Sequence, residues 1–405
     1  MGTCGTRGPA RYSAALAPGC REAEQRLLKS LLPNADVFDT AVDLASPRCQ
    51  VSIHSIEVNF DGNSAASAVP LVCLPGYGTG GAIFASCWKY MLERIFEPHG
   101  PLERRRLIAI DPLGMFLSSR PPWTPGVDVT EAESWFADSL EAWCKARGLQ
   151  EIDLLGHSIG GNIAAAFAER YPQRIRRLIL LSPAGLCPEP KGYREKLRNA
   201  PWRIRLLFRF WRRGSSPMML VRCLPRKRGR QLCSRIVTRW VGKAASTMDS
   251  DTVAALADYI FHGWTEGRES AGCVLGALLH PGAWGKKPLA GRLPELKIGQ
   301  LEMIYGERDW MDVRHGNEVA NATSQNIDRK HPTVVVQLID AGHYAHVQAV
   351  PAFCQALLNA LSDRNAASTW STPAPIPDGY AERFMNTPEK RVPKWRSWEG
   401  YDFGR

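Results

Sequence analysis

Residues 151–185 read EIDLLGHSIGGNIAAAFAERYPQRIRRLILLSPAG. The apolar run Ile152 to Leu155 has the length of a buried strand and leads straight into Gly156-His157-Ser158-Ile159-Gly160. Asn162 to Arg170, rich in alanine, has helical composition. Strand, G-x-S-x-G and helix in that order make a nucleophile elbow, a tight turn that lifts a serine hydroxyl above a sheet edge. Such a turn needs small residues on both sides of Ser158, and Gly156 and Gly160 supply them. The helix N-terminus sets free amides beneath a developing negative charge. The backbone N–H of Ile159 is then one oxyanion donor. The competing reading is a glycine-rich turn with a bystander serine, and the strand–turn–helix context argues against it.

Upstream, Glu22 to Leu32 (EAEQRLLKSLL) reads as a short amphipathic helix and Gln50 to Phe60 as an alternating strand. Val69 to Leu74 is a second strand, ending in Pro75-Gly76-Tyr77-Gly78-Thr79-Gly80-Gly81. The second oxyanion amide belongs in this loop, by position at Tyr77. No Lys-Ser/Thr follows the glycines, so a phosphate-cradling P-loop is excluded. Leu107 to Ile110 is the next strand, followed by Asp111-Pro112-Leu113-Gly114, and Glu131 to Arg147 is a helix. Buried strands alternating with helices predict an α/β fold with a mostly parallel sheet covered by helices.

After Leu178–Ser182 the alternation stops. Residues 184–288 carry helical signals and no convincing strand, which reads as a helical cap inserted in the sheet. From Lys191 to Lys243 there are seventeen Lys/Arg and one acid, Glu195, so this segment is +16 and the remainder −5 (11 minus 16). Within it, WRIRLLFRFWRR at 202–213 is amphipathic. Ile204, Leu207, Phe208 and Trp211 form one stripe, and Arg205, Arg209, Arg212 and Arg213 the other. With Trp202 this suits an anionic membrane surface. A cap helix packed on the core with solvated arginines is the plainer alternative. No nucleic-acid-binding motif accompanies the charge.

The sheet resumes at Leu301 to Tyr305 and ends in Gly306-Glu307-Arg308-Asp309-Trp310-Met311-Asp312. An acid past a late strand completes a triad in the chain order Ser, Asp, His, with Asp309 first choice and Asp312 the competitor. Pro332 to Ile339 is the last strand, and His343 on the loop after it is the expected base. His346 reads as its neighbour.

The division that follows is a 1–49 extension, a core at 50–183 and 289–362, the cap at 184–288 and an irregular tail at 363–405. Met1-Gly2-Thr3-Cys4-Gly5-Thr6 fits the myristoylation pattern, and Cys4 offers a palmitoylation site. Acylation would place the protein on membranes from the cytosolic side. The alternatives are a mitochondrial transit peptide, since residues 1–21 hold three arginines and no acid, and a plain terminus. Eleven scattered cysteines with no C-x-x-C pair indicate a reducing compartment, and the pattern calls for no metal or cofactor.

EAEQRLLKSLL, DPLG, SSRP, the 151–185 stretch, DYIFHGWTEGRESA, HPGAWGKKPL, YGERDWMD and AGHYAHVQAVPAF together span residues 22–361. On these the chain resembles the α/β-hydrolases of the lysophospholipid and N-acyl-phospholipid lipase branch. That branch includes a mitochondrial cardiolipin deacylase and a lipid-droplet lipase coactivator. The resemblance implies acyl cleavage on phospholipids or lysophospholipids at a membrane. The coactivator lacks the nucleophile that Ser158 provides here. A silent lipid-binding role and acyl-CoA-dependent acyl transfer are the other readings. The branch often carries H-x-x-x-x-D, a motif associated with acyl transfer, and Gln348 stands where that acid would be.

Overall fold

The computed structural model describes residues 10–12, 17–45, 48–59, 69–94, 105–122, 127–202, 205–206, 208–209, 218–242, 248–266, 276–325, 332–362, 372–377 and 380. Gly2, Cys4, Trp211 and Arg212 lie outside them. The strands are β1 (Ala10–Arg11), β2 (Asp36–Ala45), β3 (Arg48–Asn59), β4 (Leu71–Leu74), β5 (Arg106–Ile110), β6 (Ile152–His157), β7 (Ile175–Leu181), β8 (Leu279–His280), β9 (Trp284–Gly285), β10 (Gln300–Gly306) and β11 (Thr333–Ile339). All but β8 and β9 form one nine-stranded sheet, ordered β1-β3-β5-β4-β6-β7-β10-β11 with β2 paired to β3. From β5 to β11 every neighbouring pair is parallel. The strands β4 and β6 at its centre are buried along their whole length, as a sheet covered on both faces requires.

The helices are α1 (Pro18–Leu31), α2 (Ala85–Arg94), α3 (Val129–Ala146), α4 (Ile159–Arg170), α5 (Tyr193–Arg198), α6 (Met219–Arg222), α7 (Arg226–Val241), α8 (Ser250–Thr265), α9 (Val313–Ser324), α10 (Ala345–Gln348) and α11 (Val350–Leu361). Several starts are set by short acids. Asp128 accepts the Glu131 N–H at 2.8 Å, Asp249 the Thr252 N–H at 2.7 Å and Asp312 the Arg314 N–H at 3.0 Å. Each cap satisfies a donor that the helix itself cannot, worth about 1 kcal/mol.

Two expectations need correction. The sheet reaches further toward the N-terminus than residue 50, because β2 pairs with β3 along ten residues, from Asp36↔Glu57 to Ala45↔Arg48. Strand β2 is mostly exposed and holds three aspartates, so its sequence lacks the apolar signature of the central strands. Between β7 and β10 the described elements are not all helical: β8 and β9 form a small antiparallel ribbon, Leu279 against Gly285. At the other end of the chain, Thr372 runs beside the edge strand. It donates to Val334 C=O at 2.8 Å and accepts from Val336 N–H at 2.9 Å.

Candidate active site

Four loops meet at the carboxyl ends of β4, β6, β10 and β11, the edge where open α/β sheets place their ligands. Ser158 sits between β6 and α4 at φ 55°, ψ −116°, a strained conformation for a residue with a side chain. The turn closes so tightly that a methyl on Gly156 would lie 2.3 Å from the Gly160 carbonyl oxygen. One on Gly160 would lie 2.5 Å from the Leu74 oxygen and 2.6 Å from that of Pro75. Both glycines are therefore fixed by backbone contact.

His343 follows β11, and its Nε2 lies 3.1 Å from Ser158 Oγ. Its Nδ1 lies 2.9 Å from Asp309 Oδ1, which also accepts the Met311 N–H at 3.0 Å. Serine, histidine and aspartate are thus in hydrogen-bond sequence, with Ser158 and Asp309 buried. Asp312 is turned to other work. It caps α9, and both carboxylate oxygens hold the Arg314 guanidinium, one of them at 2.5 Å.

Ile159 is the first residue of α4, so its N–H has no carbonyl one turn back to bond. The loop that carries Tyr77 lies against the nucleophile, since a methyl on Gly76 would be 3.2 Å from Ser158 Cβ. That loop is held from several sides. Trp264 Nε1–H of α8 donates to Gly78 C=O at 2.7 Å, and Asp111 accepts Gly81 N–H at 2.7 Å and Leu117 N–H at 2.9 Å.

His157, beside the nucleophile, has a positioning contact that the motif does not reveal. Its Nε2 lies 2.9 Å from the His343 carbonyl oxygen, which fixes the base's backbone. Burial, reinforced by His346 and His343, holds His157 well below the usual histidine range. Burial likewise lowers His346 to about 3, with His343 adding to it. Both rings beside the base therefore stay neutral. Gln348 braces the same loop, its Oε1 accepting the Gly342 N–H at 2.8 Å.

Behind Asp111 is a buried ionic cluster that local sequence patterns do not reveal, because its members come from α1, β2, β3 and the loop after β5. His54 Nδ1 is 2.7 Å from Asp39 and its Nε2 2.9 Å from Glu24. Burial alone would lower the His54 pKa, but the carboxylates of Glu24, Asp39 and Asp111 outweigh it and raise it to about 10. Asp111 rises to about 6, chiefly by burial, against the pull of His54. Glu24, His54 and Asp111 have ligating atoms within 4.8 Å of one another. With both His54 nitrogens engaged by carboxylates, however, the imidazolium itself supplies the positive charge a metal would bring.

A group whose pKa rises on folding stabilises fully below its unfolded value of about 6.5 and loses that contribution as pH climbs toward its folded value of about 10. The urea midpoint is accordingly expected to fall between pH 7 and 10. His54→Gln should flatten that decline, and equal slopes for the two proteins would place the loss elsewhere.

Residues 69–221 match the α/β hydrolase fold family. A 1-acylglycerol-3-phosphate O-acyltransferase of Arabidopsis thaliana is 31% identical over 307 residues, 75% of this chain and 68% of that one. The chain belongs to the α/β-hydrolase family. Within the family it is also similar to a (lyso)-N-acylphosphatidylethanolamine lipase of Bos taurus, 29% identical over 251 residues, 62% of this chain and 68% of that one. Among solved structures, a bacterial membrane phospholipase A shares the fold with a TM-score of 0.52 at 19% identity, over 86% of this chain and 92% of that one.

Of the described residues expected at a membrane surface, Phe208 departs from the expectation. Arg205 and Arg209 are exposed, as is Trp202 at 63%, but Phe208 is buried at 3% and has no face for a bilayer. No described helix is long and apolar enough to cross a membrane.

Proposed function

We propose that this α/β-hydrolase is a serine acyl hydrolase that removes acyl chains from phospholipids or lysophospholipids. The observation that carries the reading is the hydrogen-bonded run from Ser158 Oγ through the His343 ring to Asp309 on a strained elbow. His343 takes the Ser158 proton as Oγ attacks the acyl carbonyl. The oxyanion forms against the N–H groups of Ile159 and Tyr77. His343 then returns the proton to the leaving alcohol, and water releases the acyl group by the same steps in reverse order of roles. No metal or cofactor enters these steps.

The lipid substrate class is supported by the relatives' names. Those names also favour a second reading, acyl transfer to a lysophospholipid, for which the donor proposed is acyl-CoA. Gln348 weighs against it, because an amide that braces Gly342 stands where the transfer-associated motif has an acid. Contact with an anionic membrane, assisted by acylation at Gly2 and Cys4, is part of the proposal.

One experiment tests the reading: lipid turnover on mixed anionic vesicles, with and without acyl-CoA, by wild-type, Ser158→Ala and Gly2→Ala proteins. Free fatty acid from wild type alone among the first two supports hydrolysis. A diacyl product only when acyl-CoA is present would replace it with transfer. Turnover surviving in Ser158→Ala would remove the nucleophile. Unchanged vesicle binding by Gly2→Ala would remove the acyl anchor and favour the transit-peptide or plain-terminus alternatives.

A further inference from the structure

A cavity of about 890 Å³ opens in the segment between β7 and β10, and none of Ser158, Asp309 and His343 lines it. Its size is that of a small-ligand pocket. Its charged wall holds five fixed cations, Arg194, Arg198, Arg205, Arg209 and Lys286, against one carboxylate, Glu189. Glu189 is already committed, 2.9 Å from Arg194 and 3.5 Å from His280. No described carboxylate pairs with Arg198, Arg205 or Arg209. These three line one cavity: Arg205 Nη1 donates to the Arg198 carbonyl at 3.3 Å, and Arg209, four residues beyond Arg205, lies on the same wall.

Left alone, such a group repels itself, and an anion with several acceptor oxygens would relieve it through charge-assisted, forked hydrogen bonds. The remaining wall is apolar. Leu206, Phe208, Leu279 and Pro281 line it, with Phe208, Leu279 and Pro281 buried. His280, held below the ordinary histidine range by burial, adds a neutral polar edge.

A cationic end joined to an apolar wall selects a molecule with the same two halves. We infer that this cavity is a binding site for one phosphate-bearing, single-chain amphiphile, separate from the triad. The phosphate is held by Arg198, Arg205 and Arg209, and the chain lies along Leu206, Phe208 and Leu279. Burial of Phe208 in this wall favours a single lipid molecule over adsorption of the segment on a bilayer. The site is also tied to the elbow. A methyl on Gly185 would lie 2.8 Å from Leu279 Cδ2, and the preceding residue, Ala184, donates its N–H to the Ser158 carbonyl at 2.9 Å. The inference does not depend on the triad's chemistry.

The test is calorimetric titration of full-length Ser158→Ala protein, which keeps hydrolysis out of the reading, with three probes below their micellar concentrations. These are dodecyl phosphate, inorganic phosphate and the uncharged dodecyl glucoside. Dodecyl phosphate is expected to bind at least tenfold tighter than either other probe, since both halves of the cavity are engaged. Joint replacement of Arg198, Arg205 and Arg209 by Gln should weaken it by roughly tenfold or more. Arg209→Lys, which keeps the charge and loses the fork, should fall between and guards against a misfolded triple variant. A charge-matched control, Lys29, Lys145 and Lys297 to Gln, should bind as the parent does; all three are exposed and outside the cavity. Equal binding of inorganic phosphate would make this a free-anion site, and equal binding of the glucoside an apolar one. Full binding by the triple variant, or an equal loss in the control, would also overturn the proposal. Failure of the hydrolase reading would show instead as absent turnover in the vesicle assay, with dodecyl phosphate still bound.

Discussion

Ser158→Ala and His343→Ala are each expected to lower turnover of a soluble ester by several orders of magnitude, on the order of 10⁶ where a full triad operates. The double variant should be scarcely worse than either single one. The reason is the geometry: with Nε2 of His343 3.1 Å from Ser158 Oγ, the two side chains serve one proton transfer. Removing the base leaves a hydroxyl too weak to attack, and removing the hydroxyl leaves a base with nothing to deprotonate. Ser158→Ala keeps the Cβ that the strained φ of 55° already carries, so the elbow itself is not relieved or burdened by the change. The check is kcat/KM for the two single variants and the double one. Losses that multiply would mean that the residues contribute separately, and the triad reading would fall.

Much of this site is legible in the sequence because its constraints are local. Gly156 and Gly160 must be small since the groups they meet are backbone atoms of the same or the adjacent strand turn. The central strands announce themselves because burial on both faces demands continuous apolar runs. Strand β2 is not legible, because it needs only one partner and spends most of its length exposed, with Asp36, Asp39 and Asp43 among its ten residues. The ionic cluster is hidden for a different reason. Glu24 and His54 are thirty residues apart and meet only when α1 packs beside the sheet. Trp264 reaches Gly78 across a separation of 186 residues, so no motif could connect that indole with the oxyanion loop. The amphipathic stripe at 202–213 was readable as a pattern, but a stripe does not say what covers it. Phe208 lines a cavity, and so do Arg205 and Arg209, two of the arginines expected to meet a bilayer.

The choice between Asp309 and Asp312 shows where spacing stops and geometry takes over, and it carries the second large expected effect. Both acids follow β10 within one short loop, and either fits the chain order. The loop turns at Gly306, whose carbonyl accepts the Asp309 N–H at 3.0 Å, and this aims Asp309 at His343 Nδ1. Asp309→Asn is expected to reduce kcat on the order of 10⁴-fold. An amide there can donate to Nδ1, which leaves the proton on Nε2, the nitrogen that must accept from Ser158. The amide nitrogen then stands where Oδ1 now accepts the Met311 N–H at 3.0 Å, so that one backbone bond is lost, about 1 kcal/mol, and the fold survives. Asp312→Asn removes the charge from the ion pair with Arg314, a loss of about 1 kcal/mol or less in stability, while asparagine still caps α9 and turnover changes little. Turnover and urea midpoint measured on both variants separate the roles, since each should lose a little stability and only Asp309→Asn should lose rate. If Asp312→Asn instead loses the rate, the acid of the triad is Asp312, and the loop must rearrange to bring it to His343.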